Sequence, residues 1–214
     1  MSLELFLNAI LLTTSALLPI MNPFSTAPLF VSLTSEMPTQ RRTQQALMGC
    51  LYAFVILVVF LLLGGEIINF FGISVPGIRV AGGLIISTIG LRMLFPQPKA
   101  GSTADEPRGD IAFTPIAMPS LAGPGSISVV LSGAAQIKSQ FAEERVMVYI
   151  AVIIGMALTL AFSFFVLRAA SAMVRVLGDR GIDAMTRIFG FLLVCIGMQF
   201  LLTGIDDFYG ISKG

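Results

Sequence analysis

Charged positions along the chain fall into clusters that leave long, mostly apolar stretches at 5–35, 43–65, 111–137, 146–167 and 188–205. Each is close to or longer than the roughly 20 residues that a helix needs to cross a bilayer. Reading these stretches against Pro, Gly and charge clusters predicts six apolar helices, at 4–34, 44–65, 75–96, 111–137, 146–168 and 186–205. The third is bracketed by Arg79 and Arg92. These lie only ~20 Å apart along a helix, so both side chains must snorkel towards opposite interfaces.

Two of the segments carry interruptions. The 31-residue run 5–35 is about 46 Å long if wholly helical, against a hydrocarbon core of ~30 Å, so it is tilted, bent or broken. Pro19 and Pro23 mark the break, with Asn22 as N-cap of a new half-helix, Pro23 as its first residue, and Ser25 and Thr26 as hydroxyls of its first turn. The run 111–137 repeats the plan in Ala122-Gly123-Pro124-Gly125-Ser126, where Pro124 opens a half-helix and the glycines leave room for close approach. Unwound backbone within a membrane is tolerated only where protein buries it or a wet cavity solvates it, so a matched pair of breaks points to a substrate site. The competing reading takes both breaks as proline kinks that serve helix packing. Whether each run crosses once or enters and returns as a hairpin is left open by the sequence.

The breaks also belong to an internal repeat. Pro23 to Ser32 overlies Pro124 to Gly133 at an offset of 101, and Gly83-x6-Gly90 matches Gly190-x6-Gly197, with Arg79 and Arg187 upstream. Three crossings per half is an odd number, so the second half enters the membrane inverted relative to the first. The expected organisation is therefore all-α, with residues 1–98 and 111–214 as two inverted three-helix repeats and 99–110 as a Pro/Gly-rich cytoplasmic linker. On this plan nine Lys and Arg lie on one side, within or beside the loops 35–43, 97–110 and 169–185, and four on the other. The positive-inside bias then places those loops in the cytoplasm and both termini in the periplasm.

Composition agrees with the pattern. Apolar residues make up 56% of the chain and charged residues 12%, with a mean hydropathy of +0.91, which excludes a soluble enzyme. A net charge of +1 without a basic tract gives no reason to expect nucleic acid as a partner. The chain has no histidine, and Cys50 and Cys195 are isolated, so zinc sites, disulfide scaffolds and Ser-His catalysis are all unsupported. No metal, cofactor or catalytic group is expected. No Lys or Arg precedes Arg41, so the first segment reads as uncleaved. Three further charged residues have two readings each: Glu66 as a coupling carboxylate or an interfacial one, and Arg79 and Arg187 as partners of a substrate carboxylate or as interfacial anchors.

In Asn22-Pro23-Phe24-Ser25-Thr26-Ala27-Pro28-Leu29-Phe30, in Phe71-Gly72-Ile73-Ser74-Val75-Pro76-Gly77-Ile78-Arg79-Val80-Ala81-Gly82-Gly83 and in Ala117-Met118-Pro119-Ser120-Leu121-Ala122-Gly123-Pro124-Gly125-Ser126, the chain strongly resembles the MarC family of bacterial inner-membrane proteins. The resemblance covers essentially the whole chain. It implies a multi-pass inner-membrane protein and a class of small neutral amino acid transporters, of glycine and alanine in particular. A zwitterion suits two opposed half-helix ends: N–H groups at Asn22 to Thr26 for its carboxylate, and unwound carbonyls at Met118 to Gly123 for its ammonium. The alternatives are a channel or an exporter of another small solute. With no nucleotide motif in the chain, a proton or sodium gradient is the expected driving force.

Overall fold

The computed structural model describes residues 3–95, 111–140 and 144–210, and these are helical with no strand among them. The helices are α1 (Leu3–Met21), α2 (Pro23–Leu33), α3 (Thr39–Phe71), α4 (Val75–Leu94), a π-helical segment (Ala112–Leu121), α5 (Pro124–Gln140), α6 (Arg145–Arg168) and α7 (Ala170–Tyr209). Five helices are long and apolar enough to cross a membrane: Leu3–Met21, Thr39–Phe71, Val75–Leu94, Arg145–Arg168 and the Arg180–Tyr209 part of α7. The stretch 111–140 is divided into two pieces, and the π-helical piece has only 10 residues. The linker expected at 99–110 lies outside the described residues.

The expected loop 169–185 is instead helical. The Ala169 N–H donates to the Phe165 carbonyl at 2.9 Å and the Met173 N–H to the Ala169 carbonyl at 2.9 Å, so the chain runs from α6 into α7 without a loop. The Ala, Met, Val, Leu and Arg residues here are mostly good helix formers, and their charge marks an interface rather than a coil. The only departure is Gly178 at φ 61, ψ 177, a conformation open to glycine that divides α7 into a short lead-in and the long apolar part.

Contacts along the helices fix their directions. Phe24 of α2 packs on Phe162, while Thr13 of α1 meets Gly155, so α1 and α2 together run alongside α6 in the same sense. α3 runs in the same sense as the π-helical segment and α5: Gly49 abuts Ile116, Gly64 abuts Leu131, and Glu66 pairs with Lys138 at 3.1 Å. Neither interrupted segment folds back as a hairpin.

α4 and α7 are antiparallel and make the most extensive helix contact in the molecule. A Cβ on Gly83 would stand 2.5 Å from the Gly197 carbonyl oxygen, and one on Gly90 would stand 2.6 Å from that of Gly190. Glycine at these four positions therefore lets backbone meet backbone, as small residues do at membrane helix crossings. The central core is formed by fully buried Leu17, Leu57, Leu61, Leu121 and Met156. The outer surface is equally apolar: Leu11 is 65% exposed and Phe165 63%. Apolar residues both inside and outside match a bundle whose solvent is lipid.

Candidate functional site

At the first break Asn22 has φ 37 and ψ 69, and it is the only described non-glycine residue with positive φ. The following proline disfavours right-handed helical geometry at this position, and asparagine tolerates the left-handed alternative better than most residues. Its Oδ1 accepts the Ser25 N–H at 3.2 Å, the N-cap bond that the Asn-Pro-x-Ser spacing predicts. Its Nδ2 donates to Ser25 Oγ at 2.9 Å and points at Met93 Sδ of α4 at 3.8 Å. Ser25 Oγ also shares a hydrogen bond with Thr186 Oγ1 of α7 at 3.1 Å, while the Thr26 hydroxyl donates back to the Asn22 carbonyl at 3.3 Å. Asn22 and Ser25 together thus tie the break to two other helices.

The second break has a different construction. Pro115 and Pro119 lack N–H groups, so the α-helical ladder loses two rungs, and the chain takes the wider i→i+5 turn. Ile116 N–H donates to the Ile111 carbonyl at 3.3 Å and Ala122 N–H to the Ala117 carbonyl at 2.8 Å. Past the bend at Ala122, Ser126 Oγ donates to the Leu121 carbonyl at 2.9 Å and Ile127 N–H to the Gly123 carbonyl at 3.0 Å. The N–H groups of Gly125 and Ser126 precede this first helical bond of α5, where helix geometry offers them no intrahelical partner. A Cβ on Gly125 would lie 3.1 Å from Ile20 Cγ2, so glycine here allows the second break to pack directly on the residues leading into the first.

Both breaks open on to one cavity of about 710 Å³. Asn22, Ser25 and Thr26 line it from one side and Gly123, Pro124, Gly125 and Ser126 from the other. Leu84, Ile85 and Ile89 of α4 form an apolar wall, to which Thr88 and Ser120 add hydroxyls. Pro23 and Ala122 do not line the cavity; both are buried behind it. Arg92 and Met93, in the last turn of α4, lie at its mouth, so the cavity is nearer that end of the bundle than the middle. The reason is unequal division of the first segment, 19 residues in α1 and 11 in α2.

The three charged residues singled out in the sequence are elsewhere. Arg79 is ion-paired with Asp207, Glu66 with Lys138, and Arg187 Nη1 donates to the Leu94 carbonyl at 3.4 Å, at the end of α4. Arg92, read in the sequence as a snorkelling residue, is the only charged one among the described residues that line the cavity. The four-residue steps Leu84, Thr88, Arg92 along one helical face were the available signal. A second, smaller cavity of about 190 Å³ lies between α1, α5, α6 and α7, where Thr13, Ser132 and Phe200 line it. The Ser132 hydroxyl there is buried without a hydrogen-bond partner.

An all-helical bundle with an apolar exterior and an internal cavity at two helix breaks defines a polytopic integral membrane protein. The chain belongs to the MarC family: the family described as MarC family integral membrane protein matches residues 7–209. The UPF0056 inner membrane protein MarC of Escherichia coli strain K12 is 42% identical over 215 residues, covering 95% of this chain and 96% of the relative. The protein of the same name from Shigella flexneri matches with the same identity and coverage. No solved structure matches the chain.

Proposed function

We propose that this protein is a secondary transporter of the bacterial inner membrane that moves small neutral amino acids such as glycine and alanine. The observation carrying this reading is the shared cavity, where breaks from two separate helical segments supply polar groups inside an apolar wall. Pockets of several hundred Å³ with few, convergent polar groups are the usual form of small-molecule sites.

In this reading 111–140 is the sixth crossing, because its two pieces run on along α3. Inverted duplication draws support from exchanged contacts. An offset of 107 carries Gly83 to Gly190 and Gly90 to Gly197, so the Gly83–Gly197 approach becomes the Gly190–Gly90 approach, and both are present. The broken first segment lies along α6 as the broken fourth lies along α3. The same offset carries Met93, at the mouth of the large cavity, to Phe200, beside the small one. The two cavities then act as an open and a collapsed vestibule of one path, exchanged as the halves rock, with a proton or sodium gradient as the driving force.

Counterflow of labelled alanine or glycine in vesicles containing the purified protein tests the proposal. Saturable, trans-stimulated uptake is expected, and flux that does not saturate would replace the carrier with a channel. The cavity is several times the volume of alanine, which favours one second reading, an exporter of a larger small solute. Saturable flux of such a solute with no amino acid flux would establish it.

A further inference from the structure

Resting on the transporter reading, we propose that the small cavity is the second binding position of the same path, where Ser132 and Thr13 hold the solute once access has passed to the Lys138 end of the bundle. The inverted repeat relates the two cavities residue by residue. At the offset of 107 that pairs Gly83 with Gly190, eight of the twelve described residues lining the small cavity fall on residues lining the large one. Thr13 falls on Ser120, Ala16 on Gly123 and Ser132 on Ser25. At the offset of 101 that aligns Pro23 with Pro124 only one does, so the agreement belongs to the fold and not to apolar composition. Depth is inverted as well. Ser132 and Gln136 stand six and two residues before Lys138, whereas Met93 of the large cavity adjoins Arg92.

Ser132 carries the chemistry of this position. The residue is 1% exposed, and its Oγ has no hydrogen-bond partner. Hydroxyls inside helices commonly bond back to the carbonyl one turn earlier, as those of Thr13, Thr14, Thr159 and Ser163 do. Ser132 makes no such bond, although the Ser128 carbonyl is one turn away. In the large cavity the equivalent hydroxyl, Ser25 Oγ, is satisfied by Asn22 Nδ2 at 2.9 Å. The repeat places Val129 where Asn22 stands, so that position supplies no amide to Ser132, and a buried hydroxyl left so calls for a partner that enters the cavity. A serine hydroxyl both donates and accepts, which suits either end of a small zwitterion. Thr13 Oγ1 donates to the Ala9 carbonyl at 2.8 Å and keeps its lone pairs for an ammonium. Space is present too: a Cβ on Gly133 would meet nothing within 4 Å, and the cavity volume of about 190 Å³ is more than one water fills.

Alanine counterflow in vesicles of defined orientation tests this. Ser132→Ala is expected to raise the half-saturating alanine concentration about twofold to tenfold from the Lys138 end, the worth of one neutral hydrogen bond, and to leave it unchanged from the Arg92 end. Ser132→Thr keeps the hydroxyl and should stay near wild type. Removing an unpartnered hydroxyl relieves the fold, so the melting temperature of Ser132→Ala should hold or rise, whereas a purely structural serine would give a fall. Gly133→Leu, with open space for its Cβ, is expected to fold and to abolish exchange, while alanine still shifts its melting temperature from the large cavity. Wild-type half-saturation at both ends in Ser132→Ala, an equal rise at both ends, or full exchange in folded Gly133→Leu would overturn the inference and leave the transporter reading standing. An absence of saturable alanine flux in the wild-type protein would refute the transporter reading itself, and this inference with it.

Discussion

Asn22 carries two burdens that substitution can separate: it holds a left-handed backbone and its side chain joins α2 to α4. Asn22→Gly keeps the backbone conformation and loses the amide, whereas Asn22→Ala loses the cap and strains the backbone as well. Asn22→Ala is expected to cost about 0.5–2 kcal/mol and Asn22→Gly only a few tenths, as a graded drop in detergent melting temperature. Both variants should lose alanine uptake, since both remove the polar group from the cavity. Gly123→Leu gives the complementary case, filling the cavity from the opposite wall, and wild-type melting with abolished uptake is the expected result. If breaks of this kind serve packing alone, uptake follows melting instead: Asn22→Gly keeps most of its uptake, and Gly123→Leu loses melting temperature and uptake together. The cap at Asn22 was legible because Asn-Pro-x-Ser is a local signal. The place of Arg92 beside the cavity was marked by its spacing alone, because an arginine near a helix end reads the same whether it faces lipid headgroups or a cavity.

At the level of whole helices, the glycine pairs of α4 and α7 are the most exacting feature. Gly83→Leu would drive a side chain into the Gly197 carbonyl and Leu201, both within 3 Å of the position its Cβ would take. Separation of the helices at this crossing should cost about 1–3 kcal/mol, read as lower melting temperature and yield, and the same substitution at exposed Gly72 should leave the crossing untouched. Gly72 instead has φ 63 with open space around it, so its variant reports backbone strain at the end of α3. The repeated seven-residue glycine spacing was visible in the sequence because close backbone approach allows no other residue. The π-helical turn and the helical start of α7 were not visible. Prolines announce a disrupted ladder without saying how the chain rewinds, and charge at a membrane surface looks alike in a loop and in a helix.

The whole bundle sorts its cations by end. Arg41, Arg42, Arg92 and Arg187 belong to one end, and Arg79 and Lys138 to the other, where they pair with Asp207 and Glu66. If the first end faces the cytoplasm, a reporter fused after Gly214 should show periplasmic activity and one inserted near Gly101 cytoplasmic activity. Cytoplasmic activity at the C-terminus would remove one crossing, and 111–140 is the candidate. Five of the six expected segments were legible as spanning helices because lipid imposes length and polarity on each separately. The depth of the cavity was not, since it depends on how the two segment pieces divide the span. The α4–α7 crossing sets one further condition on movement. With backbone against backbone there is no layer of side chains to slide, so these two helices form a rigid spindle. On the transporter reading, a change of access is then borne by the bent segments swinging against that spindle, like two cranks on one axle.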